Sequence, residues 1–278
     1  MPKFSTTRVL VFSLLLSLLN VSCSSYQKLL KSDDVHLKRE KAIEYYNNGD
    51  YNKALTLITD IIPAFRGSQY AEELNYYYAM AHYKQKDYIL AGHYFKTFTQ
   101  GFPRSEHVEE FLFLSAYCKY LLSPRPALDQ TQTREAISEL QAFINRFPYS
   151  EKVEEANGLI DELRFKLEKK AFDSAMLYFN IRDYMAAVRG FNNVIRGYPD
   201  TEYREEALFM IMRSHFLFAE NSIPMRQQER FQSAIEAHGR LVRRFPETRF
   251  LNQANAMLTA SEQRIKVLKE MAESQSNN

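Results

Sequence analysis

The sequence predicts an all-α protein built from repeated helix pairs, and three observations carry that expectation. The stretch Pro103-Arg104-Ser105-Glu106-His107-Val108-Glu109-Glu110 returns as Pro148-Tyr149-Ser150-Glu151-Lys152-Val153-Glu154-Glu155, and again as Pro199-Asp200-Thr201-Glu202-Tyr203-Arg204-Glu205-Glu206. An alanine stands twelve residues before each proline, in the pairs Ala91 and Pro103, Ala136 and Pro148, Ala187 and Pro199, and Ala234 and Pro246. Composition agrees: 8 Gly and 9 Pro are too few turn residues for a many-stranded sandwich, whereas 18 Tyr and 20 Phe supply ample core material.

Residues 1–22 read as a secretory signal peptide. Lys3 and Arg8 open it, an apolar run fills 9–19, and small residues lead to Cys23; that run is shorter than the roughly 20 apolar residues a membrane span needs. Leu19-Asn20-Val21-Ser22-Cys23 resembles the lipobox of bacterial lipoproteins, with Leu19 one place earlier than is usual. The resemblance implies a diacylglycerol and an N-acyl chain on Cys23, a firmer hold than a single chain gives, and no other cofactor. Ser24 and Ser25 carry no acidic retention tag, so the expected location is the outer membrane, anchored by lipid and facing the periplasm. Residues 23–34 are expected to be a lipidated linker.

Residues 35–150 hold three units and 151–250 two more, with starts near 35, 72, 105, 152 and 202. In each copy of the repeated stretch, Ser or Thr is expected to cap a helix and the glutamates to face its positive end. Apolar residues four and seven places after the alanine, such as Phe95 and Phe98 or Phe191 and Val194, mark one helical face. Gly49-Asp50-Tyr51, Lys86-Asp87-Tyr88 and Arg182-Asp183-Tyr184 are turns between paired helices, and Ala42, Ala79 and Ala175 stand twelve residues before Ala54, Ala91 and Ala187. Units three and five carry eight extra residues, read as loops at 123–129 and 220–225; the first helix of unit four should run unbroken over 153–180. A capping helix over about 251–273 and a disordered tail from 274 complete 251–278.

Small residues at two helical sites, an aromatic after the turn and a closing proline resemble the tetratricopeptide repeat, which implies a right-handed superhelix of about five units with a C-terminal cap. Cys23-Ser24-Ser25-Tyr26-Gln27-Lys28, Arg146-Phe147-Pro148 and Gly197-Tyr198-Pro199-Asp200-Thr201, carried on such repeats, are similar to the BamD family. That resemblance implies an outer-membrane protein assembly factor, with unfolded β-barrel substrates at its N-terminal repeats and a BamA-like barrel subunit at its C-terminal ones. The residues alone also admit another repeat scaffold, either a pilotin-like secretin assembly factor or a coordinator of cell-wall synthesis.

Spacings of four and three along the first helix of each unit nominate a groove. They select Arg39, Ile43 and Tyr46, then Tyr76, Met80 and Tyr83, then Phe113, Tyr117 and Tyr120. Such a stripe suits an extended chain ending in an aromatic residue, with Arg39 or Lys84 for its carboxylate; packing between repeats would use the same residues. Arg189 and Arg196 are the expected contacts to the partner subunit, since arginine suits bidentate pairing across interfaces.

The formal charge of +2 resides in Lys3 and Arg8, leaving 23–278 neutral, which argues against nucleic acid as a partner. No phosphate-cradling glycine loop, nucleophile elbow or His-Glu-x-x-His pair occurs. No catalytic residue, metal site or small-molecule substrate is therefore expected. Cys118, in an apolar run, reads as a buried, inert thiol.

Overall fold

The computed structural model describes residues 25–276. Residues 1–22, read above as a signal peptide, together with Cys23, Ser24 and residues 277–278 lie outside the described residues.

Helices occupy Val35–Asn47 (α1), Tyr51–Ile61 (α2), Ala71–Lys84 (α3), Tyr88–Gly101 (α4), Val108–Leu122 (α5), Thr131–Arg146 (α6), Val153–Asn180 (α7), Tyr184–Gly197 (α8), Arg204–Glu220 (α9), Pro224–Arg244 (α10) and Leu251–Ser276 (α11). No strand occurs among the described residues. Two compact units divide inside α7: one takes residues up to 123 together with 132–157, the other takes 124–131 and 158 onward. The division falls between Asn157 and Gly158, and the segment 124–131 groups with the second unit.

The turn inside each pair follows from one device. Asp50, Asp87 and Asp183 N–H groups reach back to Tyr45, His82 and Tyr178 carbonyls, while Gly49, Lys86 and Arg182 bond to Tyr46, Tyr83 and Phe179. These are Schellman endings, in which the residue after the cap turns left-handed; φ is +83° at Gly49, +63° at Lys86 and +66° at Arg182. The Asp that ends one helix can cap the next: Asp87 accepts from Leu90 N–H at 3.3 Å and Asp183 from Ala186 N–H at 3.1 Å. One residue thus closes two helix ends, which holds the pair in a fixed antiparallel turn.

Between units the connection is a double turn, which corrects the capping expectation. Ser105 and Thr201 are not the residues at which the helices begin. Each hydroxyl accepts from the N–H two residues on, and each carbonyl accepts from the N–H three residues on, where the helix starts. Ser150 and Thr248 do the same. The backbone N–H of each of these residues bonds in turn to the aromatic three places earlier, Phe102, Phe147, Tyr198 or Phe245. Helices therefore begin three residues later than the hydroxyl, at Val108, Val153, Arg204 and Leu251. Ser68 makes the same bonds, with Phe65 before it and Ala71 after; Arg66-Gly67-Ser68 is a copy without its proline.

The small residues are where helices meet. Ala42, Ala54, Ala79, Ala91, Ala116, Ala136, Ala187, Ser214 and Ala234 have no exposed surface, and Ala175 keeps 1%. A Cβ added to Gly190 would stand 2.8 Å from that of Ala175, so α7 and α8 cross in contact. In the first unit Ala42, Leu57, Ile58 and Leu74 form one core cluster, and Phe95, Phe98, Phe111 and Cys118 another. In the second unit Phe172, Phe191, Met210 and Leu241 share a core.

Three expectations are corrected. The residues from 25 to 34 are not a free linker: 25–30 is helical, Tyr26 meets Tyr45 edge-on at 5.6 Å, and Leu29 and Leu30 pack on the first core. The extra residues of unit five make a shorter loop than 220–225: only 221–223 lie between helices, because α9 runs to Glu220 and α10 starts at Pro224, where proline lacks an N–H the helix would not use anyway. The tail is helical through Ser276. The insertion at 123–129 does lie between helices, and there Lys170 Nζ donates to the Leu128 carbonyl at 2.7 Å.

The last helix copies α9 at an interval of 47 residues. Ala207, Met210 and Ser214 recur as Ala254, Met257 and Ser261, and both serine hydroxyls donate to the methionine carbonyl four residues back. Phe216, which meets Phe231 of α10 at 5.8 Å, and buried Met212 recur as exposed Gln263 and Thr259. The cap is the first helix of a further unit whose second-helix face has become polar, as a repeat array needs at its end.

Two outcomes are expected. Gly190→Ala should lower stability by ~1–3 kcal/mol, because overpacking against Ala175 exceeds the ~1 kcal/mol gained in helix propensity; urea unfolding, with Ala175→Gly as the second arm of a cycle, measures it. Arg182→Gly should raise stability by about 1 kcal/mol by removing left-handed strain, read as a higher Tm.

Candidate functional site

The first helices α1, α3 and α5 stand side by side in the first unit. Tyr46 of α1 meets Tyr77 of α3 at 4.9 Å, and Tyr76 stacks on Phe111 of α5 at 5.2 Å with 13° between planes. Along α5 the rings of Phe113, Tyr117 and Tyr120 stack in series, at 6.0 Å and 5.6 Å with planes within 18°. Spacings of four and three put these three on one helical face.

The nominated residues divide by burial. Tyr46, Tyr76, Tyr83, Tyr117, Tyr120 and Ile43 are half-buried. Met80 and Phe113 are corrected to core: Met80 keeps 8% and Phe113 4% of their surface. Met80 joins Phe95 and Phe111, and Phe113 is covered by Phe143 of the following helix at 5.5 Å. The helical spacing is right for both, but Phe111 of the next pair closes over Met80 and Phe143 of its own pair closes over Phe113.

Arg39 is not available as a free cation. Its guanidinium pairs with Glu73 and lies 4.2 Å over the Tyr70 ring. Lys84 is exposed at the end of α3, with no ion-pair partner among the described residues. Lys152, absent from the sequence-based nominees, sits with its Nζ 5.3 Å from the Phe113 ring and 2.8 Å from Glu155. Its position beside Phe113 comes from tertiary packing and is not visible along either segment of sequence.

The phenols of Tyr46, Tyr76 and Tyr83 resist ionisation. Burial, reinforced by the neighbouring Tyr76, Tyr51, Tyr77 and Glu110, pushes Tyr46 up to about 12; burial and then Glu110 raise Tyr76, and burial raises Tyr83. Nearby on α3 and α4, the hydrogen bond with Tyr78, aided by burial, takes Tyr94 up to about 12. The hydroxyls remain neutral donors near neutral pH. The row is an uncharged aromatic surface edged by Glu110 and Glu155, suited to rings and backbone amides.

In the second unit, Arg189 and Arg196 stand seven residues apart on α8 and both are exposed. Arg196 donates to Asn193 Oδ1 at 2.9 Å, a local bond that leaves the head at the surface. Cys118 is fully buried, and burial pushes its thiol up to about 12, which makes it inert.

The model of the YfiO family, described as an outer membrane lipoprotein, matches residues 37–227. The chain belongs to the YfiO family. The matched span takes in the aromatic row of the first unit and α8 of the second. Among curated relatives, the outer membrane protein assembly factor BamD of Pasteurella multocida is 23% identical over 205 residues, covering 66% of this chain and 76% of the relative. BamD of Haemophilus influenzae is 21% identical, covering 70% and 78%. A putative BamD of Aquifex aeolicus is 26% identical over 236 residues, covering 82% and 74%.

An alkaline transition follows from the phenols. A raised folded pKa means that the unfolded chain ionises first, from about 10.0, so the contribution is whole below that pH and is lost as pH climbs towards about 12. Urea midpoints should fall across this window, and Tyr46→Phe with Tyr94→Phe should flatten the fall.

Proposed function

We propose that this chain is a non-catalytic, lipid-anchored assembly factor of the outer membrane that binds unfolded β-barrel proteins along the first unit and a BamA-like barrel subunit through the second. Membership in the YfiO family and three relatives that are each named as an assembly factor, one of them putatively, support the general role. The single observation that carries the substrate reading is the neutral aromatic row across α1, α3 and α5. Half-buried tyrosines are held in place by the repeats, so an aromatic side chain can dock on them without ordering the surface first.

The expected ligand is an extended segment ending in an aromatic residue and a free carboxylate. Lys84 is the better partner for that carboxylate, since Arg39 would have to leave Glu73 and Tyr70. Arg189 and Arg196, on one face of α8, are the proposed contacts to the partner subunit. Anchoring through Cys23 on the periplasmic side keeps the chain at the membrane where barrels insert.

Binding of a peptide with an aromatic C-terminus should weaken about tenfold in Tyr83→Ala and in Tyr117→Ala, the scale of losing one aromatic anchor, with Tm nearly kept. A large loss of Tm instead would make these rings core. Lys84→Ala should weaken the free acid but not the amidated peptide. Affinity capture from cross-linked membranes, with a tag after residue 278, should recover a barrel with repeated periplasmic domains; a secretin or cell-wall enzyme in its place overturns the function.

A further inference from the structure

The residues next to the proposed anchor form a built surface. The helical segment 25–30 lies across the first helix pair through Tyr26, Leu29 and Leu30, and Lys53 Nζ stands 5.0 Å over the Tyr45 ring. Between this segment and α1 opens a cleft of about 500 Å³, lined in part by Ser25, Lys28, Leu37, Lys41, Glu44 and Tyr45. Lys28 is exposed and has no ion-pair partner among the described residues, and Lys41 pairs with Glu44 at 2.6 Å. Leu37 is 40% exposed at the rim.

Chain length limits what can fill this cleft. From Cys23 to Ser25 the backbone reaches at most about 7 Å. The interfacial layer of one leaflet is about 5–8 Å thick. An acylated Cys23 therefore holds Ser25, which lines the cleft, at the headgroup layer. We propose that the cleft takes a zwitterionic phospholipid headgroup of the leaflet that holds the anchor, so that the first unit is seated on the membrane and not merely tethered to it. Lys28 and Lys41 meet the phosphate; Glu44 and the Tyr45 ring meet the ammonium, which exchanges with Lys41 as the partner of Glu44. Leu37 dips among the headgroups. The inference rests on the lipid anchor at Cys23.

The full acylated chain is reconstituted in vesicles of phosphatidylethanolamine and phosphatidylcholine, with Leu37→Cys carrying an environment-sensitive fluorophore; Cys118 is buried and does not label. Lipid bearing a spin label on its headgroup should quench most of the fluorescence. Lys28→Glu with Lys41→Glu should remove most of that quenching while the protein still floats with the vesicles and keeps its helical circular dichroism and Tm. Flotation without quenching, or quenching unchanged in the double variant, overturns the headgroup site and leaves the anchor standing. Failure to float overturns the anchor and the site with it.

Discussion

Two helices can lie against each other only as closely as the side chains between them allow, and in this protein that distance is set by a few residues with almost no side chain. Ala42 and Ala54, Ala79 and Ala91, and Ala175 with Ala187 and Gly190 occupy the crossings, the alanines all buried. Where the crossing is tight, larger residues four and seven places on reach the neighbouring pair, as Phe95 and Phe98 reach Phe111 at 4.6 Å. The aromatic core is thus a consequence of close helices, and the row of tyrosines is the part of it that remains open on the first unit. Enlarging a crossing residue would move that row as well as the core.

Two polar devices make the crossings repeat. A left-handed residue followed by Asp turns each of three pairs, at Gly49, Lys86 and Arg182. A Ser or Thr with an aromatic three residues before it starts each following unit, at Ser68, Ser105, Ser150, Thr201 and Thr248. Both satisfy backbone groups at helix ends that would otherwise be orphaned. The repeat is therefore held in register by backbone hydrogen bonds as much as by apolar contact, and this accounts for its tolerance of unlike inserts, an ordered loop after α5 and an extended helix pair at α9 and α10.

The surface chemistry follows from the same geometry. Lys38, only 6% exposed, is matched by Asp60 at 2.6 Å, and Arg39 by Glu73 and Tyr70. A cation in the packed zone is thereby taken out of play, and charge for a ligand must come from helix ends or from exposed residues such as Lys84 and Lys28. A neutral tyrosine surface edged by acids and approached by lysines suits a polypeptide end, which brings rings, amides and one carboxylate.

Much of this architecture is readable along the chain because its causes are local. Helical periodicity, the alanine spacing, the Asp turns and the proline-containing starts each depend on residues within about a dozen positions, and they place α1 to α11 to within a few residues. The second unit's start near 72 is legible, but the Ser68 turn before it is not, because Arg66 stands where the other copies have proline, although the hydrogen bonds do not use the proline ring. Burial is another matter, since Met80 and Phe113 carry the same periodicity as Tyr83 and Tyr117 yet are covered, Met80 with Phe95 and Phe111 and Phe113 by Phe143, and Arg39 reads as a free cation until α3 brings Glu73 beside it. Pattern along one helix tells which residues share a face; which faces are covered, and which charges are already paired, depends on elements tens of residues away and is settled only by how the helices stack.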